Sequence, residues 1–368
     1  MKVLFVTTIS NTVGFLTPQI KMLVKEGHTV DLAFNIKREV NEELRNLVED
    51  IYNIKFNRSP IKKDNIKANH QLKQIIYKNN YDIIHTHTPI ASAITRLICK
   101  NKRDIQVMYT AHGFHFYKGS SLKSWLIYHP IEWWLSKYTD ILLTINKEDY
   151  GRAKRSFNAK KTKYIPGIGL NIKDIDEKYV SKSEYRKKLG IPDDAFVVLS
   201  VGELNQNKNH ETILKAVAKL KNKKVYYVIC GQGPLYEKLN LKAKQLGVQD
   251  QFILLGYRND IIEICKMSDL FAFPSKREGL GMAALEAMAA GLPIITSNVH
   301  GIVDYSINGQ TGYNYSPTDV EGFLEGIKYF VENPDLIEKV GKSNKVQVRK
   351  FDLENVENEM YEIYHTIK

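Results

Sequence analysis

Residues 273–293 read FPSKREGLGMAALEAMAAGLP, the stretch of this chain with the densest chemical signal. An apolar run ends at Pro274, and a loop with glycines at 279 and 281 follows. A segment of small residues, Ala283, Ala284, Leu285, Glu286, Ala287 and Met288, then has helical character, and Pro293 opens the next apolar run, PIITS. The order strand, glycine loop, helix, strand is the unit of a parallel sheet. Glycines let a backbone approach a ligand closely, and the free N–H groups of a helix start favour negative charge. The stretch reads as a phosphate cradle. It is not a P-loop, because no GK[ST] follows, and it is not a GxGxxG fingerprint.

Outward from this stretch the same alternation continues. Strand-like runs are KVLFVT (2–7), HTVDLAF (28–34), YDIIHT (81–86), QVMYTAH (106–112), DILLTI (140–145) and KYIP (163–166), then FVVLSV (196–201), VYYVIC (225–230), FILL (252–255), DLFAFP (269–274) and PIITS (293–297). Near-continuous apolar strands separated by amphipathic segments predict sheets covered by helices on both faces. The fold class is α/β, with two doubly wound Rossmann-like domains. Expected bounds are 1–168 for the first and 193–351 for the second. A linker is expected over 169–192, where Pro166, Gly167 and Gly169 give way to a charged stretch. The helical segment 352–368 is expected to pack back on the first domain.

A chain of 368 residues with 43% hydrophobic content suits two domains, and it holds no apolar run long enough to span a membrane. Its start, MKVLFVTTIS, enters a strand pattern directly, without a secretory leader. Cys99, Cys230 and Cys265 are odd in number and show no CxxC spacing, so neither a disulfide frame nor a zinc knuckle is expected. These features predict a cytoplasmic protein. Residues 1–170 hold 27 basic and 14 acidic side chains, against 26 and 27 in the remainder. The excess of positive charge in the first half suggests an anionic partner there, or simply a lysine-rich solvated surface.

Glu278 and Glu286 stand eight positions apart around the cradle. Carboxylates beside a phosphate would repel it unless they face hydroxyl groups, and ionised carboxylates accept strong hydrogen bonds from sugar hydroxyls. The ligand implied is a sugar joined to a diphosphate. In SVGELNQNKNHETILKAV (200–217), Lys208 sits just before a helix, where a cation can neutralise a diphosphate. In the first half, His85 and His87 of DIIHTHTP and His112 and His115 of YTAHGFHF crowd the carboxyl ends of two strands. Two histidines on one strand face could suggest a metal, but no third ligand has suitable spacing, and no metal site is expected. His112, followed by Gly113 at the turn, ranks first as a substrate contact.

The set GELNQNK, EGLGMAALEAMAAG, YTAHGF and DIIHTHTP resembles family 4 of the retaining, nucleotide-sugar-dependent glycosyltransferases with the GT-B fold. The resemblance covers essentially the whole chain. It is nearest to bacterial enzymes that build capsular or extracellular polysaccharide on a lipid carrier. It implies that Glu278 contacts the donor sugar, Glu286 the ribose and Lys208 the diphosphate, with His112 against the transferred sugar. Gly279, Leu280 and Gly281 would meet the phosphates through their backbone, and the turn holding Arg258 would flank the base. Ser275 joins the donor contacts, and His85, His87 and His115 fall on the acceptor side.

Two positions depart from the family pattern. Many members carry an arginine where this chain has Glu203, so one diphosphate cation is missing, with Arg258, Lys276 or Arg277 as replacements. The first loop, TTISNTVGF, keeps only Gly14 of the usual glycine pair. The resemblance further implies a UDP-sugar donor, an undecaprenyl-diphosphate-linked saccharide acceptor and no cofactor or metal.

All three tryptophans fall in SLKSWLIYHPIEWWLSKY, near lysines of the basic half. Either this segment contacts an anionic membrane, giving a peripheral protein at the inner face of the cell membrane, or Trp133 and Trp134 pack beneath the sheet. Rival functions are weaker. Two-domain UDP-N-acetylhexosamine 2-epimerases do not show this motif set. Nucleic-acid binding lacks a recognisable module and is not expected, and a nicotinamide dehydrogenase lacks its glycine fingerprint.

Overall fold

The computed structural model describes residues 1–102 and 104–367. The chain divides into two compact units. One comprises Met1–Gly169 together with the chain from Glu354 onward, and the other is Leu170–Leu353.

The first unit is built on seven strands: β1 Lys2–Ile9, β2 Thr29–Asn35, β3 Ile51–Asn53, β4 Ile83–Thr86, β5 Gln106–Ala111, β6 Ile141–Thr144 and β7 Lys161–Tyr164. Their order is β3-β2-β1-β4-β5-β6-β7, and every neighbouring pair is parallel. All four residues of β4 and of β6 are buried, which explains their unbroken apolar character apart from His85, Thr86 and Thr144. The order reverses between β1 and β4. At such a switch point the connections leave in opposite directions, and the carboxyl ends of the strands open a crevice.

The second unit repeats the plan with β8 Phe196–Val201, β9 Val225–Cys230, β10 Phe252–Gly256, β11 Leu270–Phe273, β12 Ile294–Ser297 and β13 Gly312–Tyr315. The order is β10-β9-β8-β11-β12-β13, again parallel throughout, with its switch point between β8 and β11. Its core joins Ile213, Leu214 and Val217 from the helix after β8 to Phe323, Ile327 and Phe330 from the helix Val320–Glu332.

The segment expected as a linker is part of the second unit. Residues Ile172–Glu177 and Lys182–Lys188 are helices, and Arg186, nearly fully buried, bonds Asp269, the Met267 carbonyl and the carbonyls of Asp193 and Ala195. A buried guanidinium needs such a set of acceptors to offset its desolvation. The closing helix, Leu353–His365, places Val356, Met360, Ile363 and Tyr364 in buried positions.

Candidate active site

At the switch point of the second unit, two backbone hydrogen bonds and one from a side-chain amide fix the loop after β11. Lys276 N donates to Asn207 O at 2.8 Å, Asn207 Nδ2 donates to Arg277 O at 3.0 Å, and Gly301 N donates to Glu278 O at 3.2 Å. A Cβ on residue 301 would lie 1.9 Å from the Gly279 carbonyl oxygen, so only glycine lets that turn reach the loop. Gly281 is the N-cap residue of the helix Met282–Ala289, with φ of +92° and no side-chain cap. A Cβ there would sit 2.7 Å from the Phe273 ring. The helix therefore starts with uncapped N–H groups, the arrangement that binds a phosphate. Leu280 is buried in this turn. Ser275 Oγ and Tyr305 Oη are both buried and lack hydrogen-bond partners among the described residues.

Lys208 and Glu278, assigned from sequence to different parts of a donor, meet each other. Lys208 Nζ lies 2.7 Å from Glu278 Oε1 and 4.9 Å from the centroid of the Phe273 ring. Asn205 Oδ1 accepts from the backbone N–H groups of both Asn207 and Lys208, which sets the turn that aims the lysine. Asn209, at φ +57°, donates from Nδ2 to the carbonyls of Pro274 and Pro317 and so ties two strand-end loops together. Sequence reasoning singled out neither asparagine, although Asn is the non-glycine residue most at home in left-handed backbone.

Glu286 lies in the second turn of the helix. Its carboxylate makes no hydrogen bond among the described residues, and desolvation raises its pKa from 4.5 to about 7. A partly buried carboxylate without donors is ready to accept from ligand hydroxyl groups. Glu203 is exposed and accepts from Asn205 Nδ2 at 2.8 Å, so its position carries no cation. Arg258 is held by both oxygens of Asp260, which Tyr185 also bonds, and the guanidinium lowers the Asp260 pKa to about 2. Arg277 makes no side-chain hydrogen bond or ion pair among the described residues.

In the first unit, His112 follows β5 and is exposed, while His87 follows β4 and is buried. Their rings meet, with His87 Nδ1 3.2 Å from His112 Nε2. Desolvation lowers the His112 pKa to about 4. His85 does not fit its expected acceptor-side place: it is fully buried, with Nδ1 on Tyr364 Oη at 2.6 Å and Nε2 on Thr110 Oγ1 at 2.7 Å. Both nitrogens are spent inside the unit. His87 likewise has no exposed edge, so it can act on a ligand only through His112. His115 is partly exposed, its ring 4.7 Å from that of Tyr128. Gly14 opens the second of two 3-10 turns, Ser10–Thr12 and Gly14–Leu16, with nothing within 4 Å of where a Cβ would stand. The loop bearing His112 is held from behind by the helix Lys147–Ser156. Phe114 N donates to Asp149 Oδ2 at 2.9 Å, and Arg152 Nη1 donates to Phe116 O at 3.0 Å.

The tryptophan segment forms the helix Leu122–Ser136. Trp125 packs on Phe116 and under Arg152, whereas Trp133 and Trp134 are 40% and 44% exposed and do not pack beneath the sheet. Leu122, Leu126 and Ile131 share that exposure. No helix among the described residues is long and apolar enough to cross a membrane. Among the described residues, no group of three or more His, Cys, Asp or Glu is placed to hold a metal ion.

Comparison with known proteins agrees with this geometry. Residues 181–347 match the family described as glycosyl transferases group 1, and residues 2–146 match glycosyl transferase 4-like. The chain is 34% identical to the Bacillus subtilis protein named as a glycosyltransferase, EpsD, over 99% of this chain and 96% of that one. It is 29% identical to an Escherichia coli UDP-Gal:alpha-D-GlcNAc-diphosphoundecaprenol alpha-1,3-galactosyltransferase over 70% and 68% of the two chains. It is also 23% identical to the capsular polysaccharide biosynthesis glycosyltransferase CapM of Staphylococcus aureus, over 99% and 97%. Among solved structures, Anabaena HepE in complex with UDP and glucose superposes with a TM-score of 0.81 at 18% identity, covering 100% of both chains. From two family matches that together span most of its length, and a full-length relative at 34% identity, the chain belongs to the group 1, family 4-like glycosyltransferases of the GT-B fold.

Proposed function

We propose that this glycosyltransferase moves a hexose or N-acetylhexosamine from a UDP-sugar to a hydroxyl of an undecaprenyl-diphosphate-linked saccharide, with retention of anomeric configuration. The observation that carries the reading is the ion pair of Lys208, on the loop after β8, with Glu278, which adjoins the Gly279–Gly281 turn ahead of an uncapped helix. The UDP held by HepE and the lipid-linked substrate named for the Escherichia coli relative favour this donor and acceptor.

The division of labour follows from charge. The diphosphate lies on the uncapped N–H groups and Lys208, which stabilise the negative charge that grows as the sugar leaves. Glu278 turns its second oxygen to the sugar hydroxyls, and Glu286 accepts from the ribose. Arg277, on the loop after β11 and without a side-chain partner among the described residues, supplies the cation missing at Glu203. The bond from the anomeric carbon to the diphosphate oxygen breaks. The acceptor oxygen bonds that carbon from the same face, and the acceptor proton passes to the departing diphosphate. No protein nucleophile and no metal is required.

Thermal shift against UDP- and GDP-sugars, followed by transfer to a short polyprenyl-diphosphate sugar, tests this reading. Stabilisation by UDP-sugars and a product of unchanged anomeric configuration are expected. An inverted product or exclusive response to GDP-sugars would overturn it.

The exposed apolar face of Leu122–Ser136, flanked by Lys118, Lys123 and Lys137, supports peripheral attachment to anionic lipid at the inner face of the cell membrane. Flotation with anionic vesicles at low salt is expected, and its loss on changing Trp133 and Trp134 to serine. A protein that stays at the bottom of the gradient is not a membrane-surface enzyme.

A further inference from the structure

Resting on the reading that puts His112 against the transferred sugar, we infer that His87 is a positioning residue that sets the tautomer of His112. His87 donates its Nδ1–H to His112 Nε2, so that His112 presents Nδ1–H outward as a neutral donor to the sugar.

The two imidazoles approach with Nδ1 of His87 3.2 Å from Nε2 of His112. Burial pushes the His87 pKa well below its ordinary value, and that of His112 falls to about 4, so both rings are neutral near pH 7 and share one proton across this contact. Two arrangements are possible. If His112 were the donor, His87 would carry its own proton on Nε2. That atom is buried and has no partner among the described residues. A buried N–H without an acceptor loses its full hydration, and such orphans are rare in native proteins. With His87 as the donor, the same buried atom is a bare lone pair. The unpartnered Nε2 therefore selects the direction of the bond.

The ring of His87 is not free to turn away. Its centroid lies 4.0 Å from that of His85, and it stacks on Phe5 at 5.7 Å with 9° between the planes. The backbone N–H of His87 is bound to Val6 O. His85 is itself fixed at both nitrogens by Tyr364 and Thr110. A rigid, aromatic-walled histidine thus aims one donor at an exposed one, as second-layer groups elsewhere fix imidazole tautomers. A neutral imidazole is also the useful form beside a sugar that gains positive character as its bond to the leaving group breaks. An imidazolium would oppose that charge, whereas a neutral N–H can bind a hydroxyl without doing so.

The test starts from the intact, 15N-histidine-labelled protein, whose tautomers are read by long-range proton–nitrogen correlation. His112 is expected as a single Nδ1–H tautomer in the wild type, and as a mixture dominated by Nε2–H in His87→Leu. A wild-type His112 protonated on Nε2, or one that keeps its tautomer in the variant, overturns the inference. In transfer assays, His87→Leu is expected to lower kcat by about tenfold while leaving the donor KM within about twofold. His87→Asn, whose amide can donate from near the Nδ1 position, is expected to recover the rate to within about threefold of wild type. An asparagine variant as slow as the leucine one would assign the loss to packing and overturn the positioning role. His112→Ala separates the two readings. Wild-type turnover in that variant would remove His112 from the sugar site, whereas the tautomer measurement answers for His87 independently.

Discussion

Glu286→Gln should stabilise the unliganded protein at alkaline pH while weakening its hold on donor. The carboxyl of Glu286 is partly buried and receives no hydrogen bond among the described residues, and desolvation pushes its pKa up from 4.5 to about 7. The folded-state pKa lies above the unfolded value, so the native state holds the extra proton between these limits, and stability falls as pH rises through that window. Fully counted, the displacement corresponds to about 3 kcal/mol against folding above about pH 7. Because the group is partly open to solvent, about 1–2 kcal/mol is the working figure. Glutamine carries no such penalty. For a unit of this size the gain is about 3–6 °C in melting temperature near pH 8, shrinking to nothing by about pH 4.5. Calorimetry of both proteins across that range measures it, and UDP titrations should show about tenfold weaker binding in the variant, from loss of a charged acceptor. A difference in melting temperature that does not change with pH would refute the desolvation argument, whatever happened to binding.

Lys208→Ala should lower turnover by about 10²-fold or more, the scale of losing one charge-stabilising donor at a leaving group, and a wild-type kcat would remove Lys208 from the site. Gly281→Ala forces a side chain into backbone at φ +92° and against the Phe273 ring, with a cost of about 1–3 kcal/mol and a displaced helix start. Urea unfolding together with UDP titration should report both effects, and unchanged affinity would mean that the turn does not meet the phosphates. Excess chelator should leave the transfer rate unaltered. A loss restored by magnesium or manganese would require a metal in the mechanism.

Much of this architecture is legible in the sequence because buried parallel strands leave long apolar runs, and eleven such runs coincide with or overlap strands of the two sheets. The two strands that escape, Ile51–Asn53 and Gly312–Tyr315, lie at sheet edges, where one neighbour suffices and few apolar residues are needed. The stretch 169–192 reads as a linker because its lysines and glutamates hide an amphipathic pattern. Arg186 is buried because Asp269 and the carbonyls of Met267, Asp193 and Ala195 accept from its guanidinium, two of them more than 80 positions away. In the site, local signals identify the glycine loop, Lys208 and His112. Contacts between residues far apart in the chain leave no local pattern. The Lys208–Glu278 ion pair spans 70 positions and the His85–Tyr364 bond 279, and each joins residues whose neighbourhoods look unrelated in sequence. Asp149 escaped notice for the same reason, since its partner Phe114 lies on another strand-end loop.

The return of the closing helix to the unit in which the chain began makes that unit discontinuous. While the protein is being synthesised, everything needed for the second unit emerges from the ribosome before the first can be completed. Until Tyr364 arrives, His85 waits with one nitrogen unsatisfied in a half-closed interior. A fragment ending at Gly169 would carry that vacancy permanently, and disturbing the helix Leu353–His365 would be felt at His85, whose ring packs on that of His87.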